Sequence, residues 1–434
     1  MGQNLKVSKN NIDKTSKKNK FLLLCLGQFV ASIGHGLSSF TLGVYVFDVS
    51  GSALNSSLVM LLGFLPTLAL MIPAGGLADR YDRRLLMILG DGLSALGLIF
   101  ILVFKLLGSL EIWHILLGVC ISAIFQALMD PAFKATVSDL LTEDEYTKGS
   151  GLIQASSSAK FLLAPLLGGF LYSGVGLEII LLIDIFTVVL TVLASSYVRR
   201  GLKTKSFESE ASLLKDIHSA WQTLASNRAI LTLVFTATAL TFFLAFLQTL
   251  INPFFLSFSN SETLGVVTSI AASGMLVSSI ILGFITMKNH LKYLSFSLSG
   301  AAIAMGLTVS FDKVPVIAFF AFMFFFCLPF ANSSLDYLVR TNIDNKYQGR
   351  VWALIGVISQ LGYVFAYPLA GFLADKLFIP AFSEGGALAE SFVSNILGTG
   401  AAAGIAFEVI IAAIFLLILS LYLLWKKSLR TLVK

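Results

Sequence analysis

The ten residues Gly75-Gly76-Leu77-Ala78-Asp79-Arg80-Tyr81-Asp82-Arg83-Arg84 join two long apolar segments through a short charged turn. The flanking segments, 57–74 and 85–107, can each cross the hydrocarbon core of a bilayer, which is about 30 Å thick and takes about 20 helical residues. Because the turn is short, the two segments are predicted to form an antiparallel helical hairpin. Its three arginines place the turn on the cytoplasmic side, since flanking basic residues resist translocation.

The composition excludes an ordinary soluble protein. Of the 434 residues, 56% are hydrophobic and 12% are charged, and the mean hydropathy is +0.87, which is typical of a protein with many membrane spans. Lys and Arg outnumber Asp and Glu by 30 to 24, and the position of this excess favours membrane topology over nucleic-acid binding. The cysteines Cys25, Cys120 and Cys327 fall in apolar segments, so no disulfide framework is implied.

Twelve apolar segments along the chain are predicted to span the membrane. They are 21–47, 57–74, 85–107, 112–133, 151–172, 177–197, 230–256, 264–287, 293–311, 314–330, 351–373 and 401–425. The predicted fold is an all-α polytopic membrane protein whose twelve transmembrane helices form two six-helix bundles. The predicted regions are a disordered cytoplasmic tail (1–20), an N-terminal bundle (21–197), a cytoplasmic linker (198–229), a C-terminal bundle (230–425) and a second tail (426–434). Apolar residues at helical spacing in the linker indicate either an amphipathic helix on the inner membrane surface or an ordinary solvated helix.

The positive charges follow this topology. An even number of spans puts both termini on the cytoplasmic side, and nearly all basic residues then lie in cytoplasmic segments, as the positive-inside rule requires. The exceptions are Lys105, Lys160, Lys313 and Lys376.

An internal repeat supports two equivalent halves, as in many transporters. Three sets of residues recur in order at separations of 203 to 208 positions. Asp130 and Lys134 correspond to Asp336 and Arg340; Gly75, Arg80 and Arg84 correspond to Gly283, Lys288 and Lys292; and Pro165 and Gly168 correspond to Pro368 and Gly371. The spacing of Asp130 with Lys134, and of Asp336 with Arg340, predicts matching ion pairs one helical turn apart.

The charged turn resembles the loop 2-3 signature of the major facilitator superfamily of secondary transporters. Asp82 stands where that signature has its second glycine, and in this respect the turn is similar to the macrolide-efflux branch of the proton-linked drug exporters. Ala164-Pro165-Leu166-Leu167-Gly168-Gly169 resembles the fifth-helix antiporter signature, with Ala164 in place of the first glycine. The stretches 130–134, 139–141 and 348–351 also look like the equivalent loops of macrolide-efflux members.

The resemblance implies a set of gating residues at the cytoplasmic face. Asp79 is expected to brace the closed inner side by facing the N-terminus of the eleventh helix near Arg350, where backbone dipoles favour an anion. The whole predicted gating set is Gly75, Asp79, Arg80, Arg83, Arg84, Asp130, Lys134, Asp336, Arg340 and Arg350. The predicted antiporter motif consists of Pro165, Gly168 and Gly169, for which ordinary small-residue helix packing is the alternative.

Ionisable groups inside the membrane are costly and are therefore candidates for proton coupling. They are Asp184, Lys160, Asp91, Glu408 and His35. Lys160 and Asp184 flank one external hairpin and are predicted to pair, either for transport or for packing specificity. Asp91 lies about 9 Å inside the cytoplasmic boundary, so we expect it to be hydrated and to serve helix packing. His35 is either a group that titrates near neutral pH or a neutral, hydrogen-bonded side chain. The buried arginine that many proton-linked members carry in the fourth span is missing, so proton coupling is implied by the resemblance alone.

Aromatic residues are concentrated in the seventh and tenth segments, where some face lipid and others can line an apolar cavity. The predicted cavity residues are Gln28, Gln126, Phe243, Gln248, Asn252 and Phe326. The stretch 371–376 imitates the first half of the charged turn, but the topology puts it at the outer face, so we assign it no gating role.

These features predict a secondary active exporter of lipophilic or amphiphilic small molecules, of the macrolide and multidrug type, that exchanges them for protons by alternating access. We predict no enzyme activity, cofactor, metal site or nucleic-acid partner, since neither an ATP-binding loop nor a Cys/His cluster is present in the sequence. The predicted protein acts as a monomer in the plasma membrane. One alternative is the export of a dedicated metabolite, such as a siderophore or lysolipid; another is a non-transporting receptor or scaffold with the same fold.

Overall fold

The computed structural model describes residues 2–141, 145–199, 221–222, 224, 228–285, 287–343 and 348–426. Its helices are α1 (Gly2–Ser50), α2 (Ala53–Arg80), α3 (Arg83–Leu106), α4 (Ile112–Gln126), α5 (Met129–Leu140), α6 (Tyr146–Arg199), α7 (Arg228–Leu256), α8 (Ser261–Leu282), α9 (His290–Thr308), α10 (Val314–Thr341), α11 (Gln348–Leu373), α12 (Ile379–Phe382), α13 (Phe392–Leu397) and α14 (Ala401–Trp425). A π-helical turn, Ala374–Phe378, connects α11 to α12.

Within the described ranges, ten helices are long and apolar enough to cross a membrane. The prediction of an all-helical membrane protein is therefore confirmed, while the count of twelve spans in two bundles of six stays a prediction. The fifth and sixth segments lie in the single helix α6, which is interrupted at Gly176 by a positive φ of 80°. This backbone conformation suits glycine because it has no Cβ.

Several boundaries differ from those expected. Helix α1 begins at Gly2, where we expected a disordered tail, because neither glycine nor proline interrupts residues 3–26. The fourth segment is divided into α4 and α5 at Ala127 and Leu128. Most of the linker, with its amphipathic pattern, lies outside the described residues.

The chain divides into two compact units. Unit 1 contains Met1–Leu42 and Leu62–Glu210, and unit 2 contains Gly43–Leu61 and Ala211–Lys434. Helices α1 and α2 therefore each contribute residues to both units. The predicted domain boundaries assigned α1 and α2 to the N-terminal bundle alone.

The end of unit 1 that carries the charged turn has its own apolar core. It is built from α1, α3 and α5 together with the end of α6, and its buried members include Phe21, Met87, Phe133 and Val198. In unit 2, α10 packs on α8 and α9, α11 packs on α7, and α14 packs on α7 and α9. These cores hold in place the charged side chains described next.

Candidate functional site

Two arginines of the charged turn share one carboxylate. Arg83 Nη1 donates to Asp139 Oδ1 at 2.9 Å, and Arg84 Nη2 donates to Asp139 Oδ2 at 2.7 Å. Arg83 also donates to the carbonyl oxygen of Ala135 at 3.1 Å. Charge-assisted bonds of this kind are stronger than neutral ones, so Asp139 fastens the turn to α5. We did not assign Asp139 a role from the sequence; its one signal was its place in the stretch 139–141.

Asp82, the residue that departs from the family signature, has a structural role of its own. Its carboxylate accepts from the backbone N–H of Arg84 at 3.1 Å and caps the N-terminus of α3. Its other oxygen accepts from Arg199 Nε at 2.8 Å. The substitution of aspartate for glycine therefore starts α3 and ties it to the end of α6. We did not predict a role for Arg199 from the sequence.

Other members of the predicted gating set show fewer contacts. The side chains of Asp79 and Arg350 lie outside the described part of the structure, so the bracing role of Asp79 stays a prediction. Arg80 is exposed. A Cβ placed on Gly75 would meet no described atom within 4 Å.

The two predicted ion pairs differ in their surroundings. Lys134 Nζ and Asp130 Oδ2 are 3.3 Å apart on the exposed side of α5, which confirms the first pair. In unit 2, Arg340 is close enough to Asp336 to interact electrostatically, and its guanidinium also lies 5.8 Å from the ring centre of Trp352. Arg340 therefore links α10 to α11 through an aromatic contact that the repeat did not predict.

The antiporter motif packs against α1. A Cβ built on Gly168 would lie 2.9 Å from Phe40 Cδ1 and 3.5 Å from Thr41 Oγ1. Pro165 and Gly169 are buried on the same helix. The motif therefore provides a close helix contact, which is required both of an antiporter motif and of ordinary small-residue helix packing.

Two glycines let α1 approach both arms of α6. A Cβ on Gly34 would collide with Thr187 and lie 3.1 Å from Asp184 Oδ1, on the arm after Gly176. A Cβ on Gly36 would lie 2.5 Å from the Cβ of Ala164 and 3.1 Å from the carbonyl oxygen of Lys160, on the arm before it. His35 lies between these two glycines in the sequence of α1.

One polar cluster in unit 1 combines four predicted residues, of which Asp184 is buried and Lys160, His35 and Gln126 are half-buried. Asp184 is 1% exposed, and its Oδ2 has no hydrogen-bond partner among the described residues. Lys160 is near enough to interact electrostatically with Asp184 and with His35. His35 Nδ1 and Gln126 Nε2 are 3.3 Å apart. The arrangement can hold a proton or a compensating positive charge beside a buried carboxylate.

Two further candidate acids lie outside these four residues, and one of them, Asp91, is near enough to Asp184 for the two charges to interact. Asp91 is 5% exposed and lies beside Thr191 of α6, so the expectation that it is hydrated was wrong. Its exposure is set by the helix face on which it lies, which packs on α6, and not by its depth along α3. Glu408 of unit 2 is 2% exposed, and neither carboxylate oxygen has a hydrogen-bond partner among the described residues. It is near enough to Asp375 for the two charges to interact.

The predicted cavity residues are distributed over both units. Gln28 and Gln126 belong to unit 1, and the others belong to unit 2. Phe243 packs edge-on against Phe242, and Phe326 stacks on Phe322 with ring centres 6.1 Å apart. Asn252 is buried, and a Cβ on Gly43 would lie 3.9 Å from its amide nitrogen. Gln248 is half-buried.

Comparison with known proteins supports a transporter. Macrolide efflux protein A of Streptococcus pyogenes is 26% identical over 371 residues, which cover 83% of this chain and 90% of that protein. Multidrug efflux pump Tap of Mycolicibacterium fortuitum is 25% identical over 377 residues, with the same coverage. A bacterial homologue of the human lysosomal transporter Spinster, solved inward-facing and occupied, superposes with a TM-score of 0.70 at 15% identity and covers 95% of this chain and 96% of that one.

The first of these similarities agrees with the resemblance that the charged turn suggested, and the superposition shows the fold alone. The family model described as Major Facilitator Superfamily matches residues 24–367, which is most of the chain. This protein therefore belongs to the Major Facilitator Superfamily of membrane transporters.

Proposed function

We propose that this protein exports lipophilic or amphiphilic small molecules of the macrolide and multidrug type, in exchange for protons, by alternating access. The direction and substrate class are supported by the names of its relatives, macrolide efflux protein A and multidrug efflux pump Tap. The aromatic side chains of α7 and α10, among them Phe243 and Phe326, suit an amphiphilic substrate.

The observation that carries proton coupling is the buried carboxylate of Asp184 in a cluster with the half-buried Lys160 and His35. A carboxylate that is 1% exposed requires either a proton or a nearby cation to offset its lost hydration. A change in the distance between Lys160 and Asp184 therefore changes the proton affinity of the carboxylate. In the proposed cycle, substrate moves outward while a proton bound at Asp184 moves inward.

The proposed location is the plasma membrane, with both termini on the cytoplasmic side. The support is the placement of basic residues, which are concentrated in the segments that this topology makes cytoplasmic. The proposed functional unit is a monomer. Gating is assigned to the predicted inner set, in which Asp139 joins Arg83 and Arg84.

Accumulation of erythromycin and of ethidium in cells with and without the protein tests this function. We expect lower accumulation in cells that express the protein, and loss of the difference when a protonophore collapses the gradient. Equal accumulation of both probes would contradict drug export. Export that persists with the protonophore would contradict proton coupling but would leave drug export supported.

Matched carboxylate variants make the coupling test specific. Asp184→Asn is expected to abolish the energised export. Asp312→Asn changes an exposed carboxylate between α9 and α10 and should leave export intact. Both variants must reach the membrane in equal amounts, as measured by immunoblot.

A further inference from the structure

A carboxylate beyond the end of α11 caps the N-terminus of α2. Asp375 lies in the π-helical turn and accepts three hydrogen bonds. They come from Ser52 Oγ at 2.5 Å, from the backbone N–H of Ala53 at 2.9 Å and from that of Leu54 at 3.0 Å. All four residues belong to unit 2.

These bonds suit a charge at a helix end. The first N–H groups of a helix have no intrahelical acceptor, and the helix dipole favours an anion there. Ser52 extends the contact, because its hydroxyl donates to Asp375 while accepting from the backbone N–H of Asn55 at 3.1 Å. Asp375 therefore satisfies the backbone N–H groups of Ala53 and Leu54, and Ser52 satisfies that of Asn55.

Gly371 brings the two helices into direct contact one turn earlier. A Cβ at this position would lie 2.5 Å from Ser57 Oγ, 2.6 Å from Leu54 Cα and 2.9 Å from the carbonyl oxygen of Ala53. Only glycine allows this approach without movement of the α2 backbone. The π-helical turn begins three residues later, and such turns often mark functional positions in helices.

The sequence of this contact repeats that of the charged turn. Gly371-Phe372-Leu373-Ala374-Asp375-Lys376 has Gly, Leu, Ala, Asp and a basic residue at the spacing of Gly75-Gly76-Leu77-Ala78-Asp79-Arg80. We expected no gating role for the second copy because of its outer location. The structure shows a contact that this expectation did not include, since Asp375 makes three hydrogen bonds to the start of another helix.

We propose that Asp375 is a gating residue, which holds the start of α2 against α11 in this conformation and releases it when the outer end of the protein opens. Asp375 then has at the outer face the role that we expect for Asp79 at the inner face. The proposal rests on the proposed function only in requiring a second, outward-open conformation. Its test needs no substrate, so its failure is distinguishable from a failure of drug export.

The proposal is tested by the rate at which a buried cysteine reacts with a membrane-impermeant maleimide. The reporter is Ser57→Cys, in a protein whose three cysteines are replaced by serine and which is reconstituted in lipid nanodiscs. Ser57 is buried beside Gly371, and its hydroxyl bonds within α2 to the carbonyl oxygen of Leu54. The substitution therefore leaves the contacts of Asp375 in place.

We expect slow labelling in the parent and labelling about tenfold faster in Asp375→Asn, since loss of the charge weakens three charge-assisted bonds. Gly371→Val should accelerate labelling independently, by forcing α11 away from α2. Two controls should match the parent. Lys376→Gln changes the neighbouring exposed charge, and Gly356→Ala adds a Cβ on the same helix where no described atom lies within 4 Å.

General unfolding is distinguished by a second reporter, Ser334→Cys, which lies buried in α10 and should stay unreactive in every variant. If Asp375→Asn unfolds, Ser52→Ala provides the test, because it removes one donor and leaves the carboxylate. The proposal would be overturned if labelling of the Ser57 reporter were unchanged both in Gly371→Val and in whichever of Asp375→Asn and Ser52→Ala is folded.

Discussion

A carboxylate that accepts from two guanidinium groups contributes more than one that pairs with a single exposed lysine. Asp139 bonds to Arg83 and to Arg84, and the side chain of Arg84 is 4% exposed. Asp130 pairs with Lys134 at a site where both side chains are more than two-thirds exposed. Exposed pairs are screened by water and contribute about 0 to 1 kcal/mol. The two aspartates of α5 therefore form a matched pair for measurement.

We predict that Asp139→Asn lowers the stability of the protein by about 1 to 3 kcal/mol, because it leaves Arg84 buried beside a weaker acceptor. Asp130→Asn should have little effect. The thermal unfolding midpoint in detergent, followed by tryptophan fluorescence, measures both variants. Equal midpoints for the two variants would mean that the double arginine contact adds no stability.

Individual contacts of side chains were the least predictable part of the site. The resemblance identified Arg83 and Arg84 but not their partner, because the sequence does not record which residue of α5 faces the turn. Asp91 was misjudged for the same reason, since its depth along α3 is readable whereas its orientation toward α6 depends on packing. The contact of Asp375 was not predicted because its partner, the start of α2, lies more than 300 residues away in the sequence.

Helix positions were predicted better, because a long apolar run determines them locally. The segments 85–107 and 401–425 match α3 and α14 closely. The break between α4 and α5 was not foreseen, although Pro131 lacks the N–H that would bond to the carbonyl oxygen of Ala127 four residues earlier. The close approach of α1 to α6 was indicated only by the glycines that flank His35, and its geometry required the structure.

We predict that Gly36→Ala disrupts the contact between α1 and α6. The new Cβ would lie 2.5 Å from that of Ala164 and 3.1 Å from a backbone oxygen, and overpacking of this kind costs about 1 to 3 kcal/mol. On the same helix, Gly27→Ala meets its nearest neighbour at 3.5 Å and should be neutral or stabilising. Thermal midpoints of the two variants provide the comparison, and a midpoint for Gly36→Ala as high as that of Gly27→Ala would contradict the tight contact.

Hydroxyl groups join α9 to α14. Ser420 Oγ donates to the carbonyl oxygen of Ser295 at 2.7 Å and lies 2.6 Å from Ser299 Oγ. We predict that Ser420→Ala lowers stability by about 1 kcal/mol, the usual scale for hydrogen bonds between membrane helices. Ser279→Ala is the control, because that exposed hydroxyl bonds only within α8, to the carbonyl oxygen of Met275. Unfolding in detergent with increasing sodium dodecyl sulfate measures the difference, which should vanish if the serine cluster is only a packing contact.

At the scale of the whole molecule, the two units differ in the chemistry that they bury. Unit 1 buries Asp184 within a cluster that includes the half-buried Lys160 and His35, whereas unit 2 buries Glu408 and holds the contact of the half-buried Asp375. The recurring residue patterns predicted equivalent halves. A residue that recurs in the sequence does not have to make the same contacts in both units. Asp130 pairs with a lysine in one unit, while Arg340 of the other contacts an aromatic ring.

Proton coupling at this scale is predicted to depend on Asp184 more than on Asp91. Both carboxylates are buried, so burial does not separate them, and the distinction rests on Lys160, which interacts electrostatically with Asp184. A cation that approaches or leaves a carboxylate changes its proton affinity between states, as coupling requires. Asp184→Asn should therefore abolish proton movement driven by an erythromycin gradient in proteoliposomes, as reported by an entrapped pH-sensitive dye, while Asp91→Asn should retain it. Proton flux at the parent rate in a well-folded Asp184→Asn protein would reject Asp184 as the coupling acid and direct the same measurement to Glu408, Asp91 and His35.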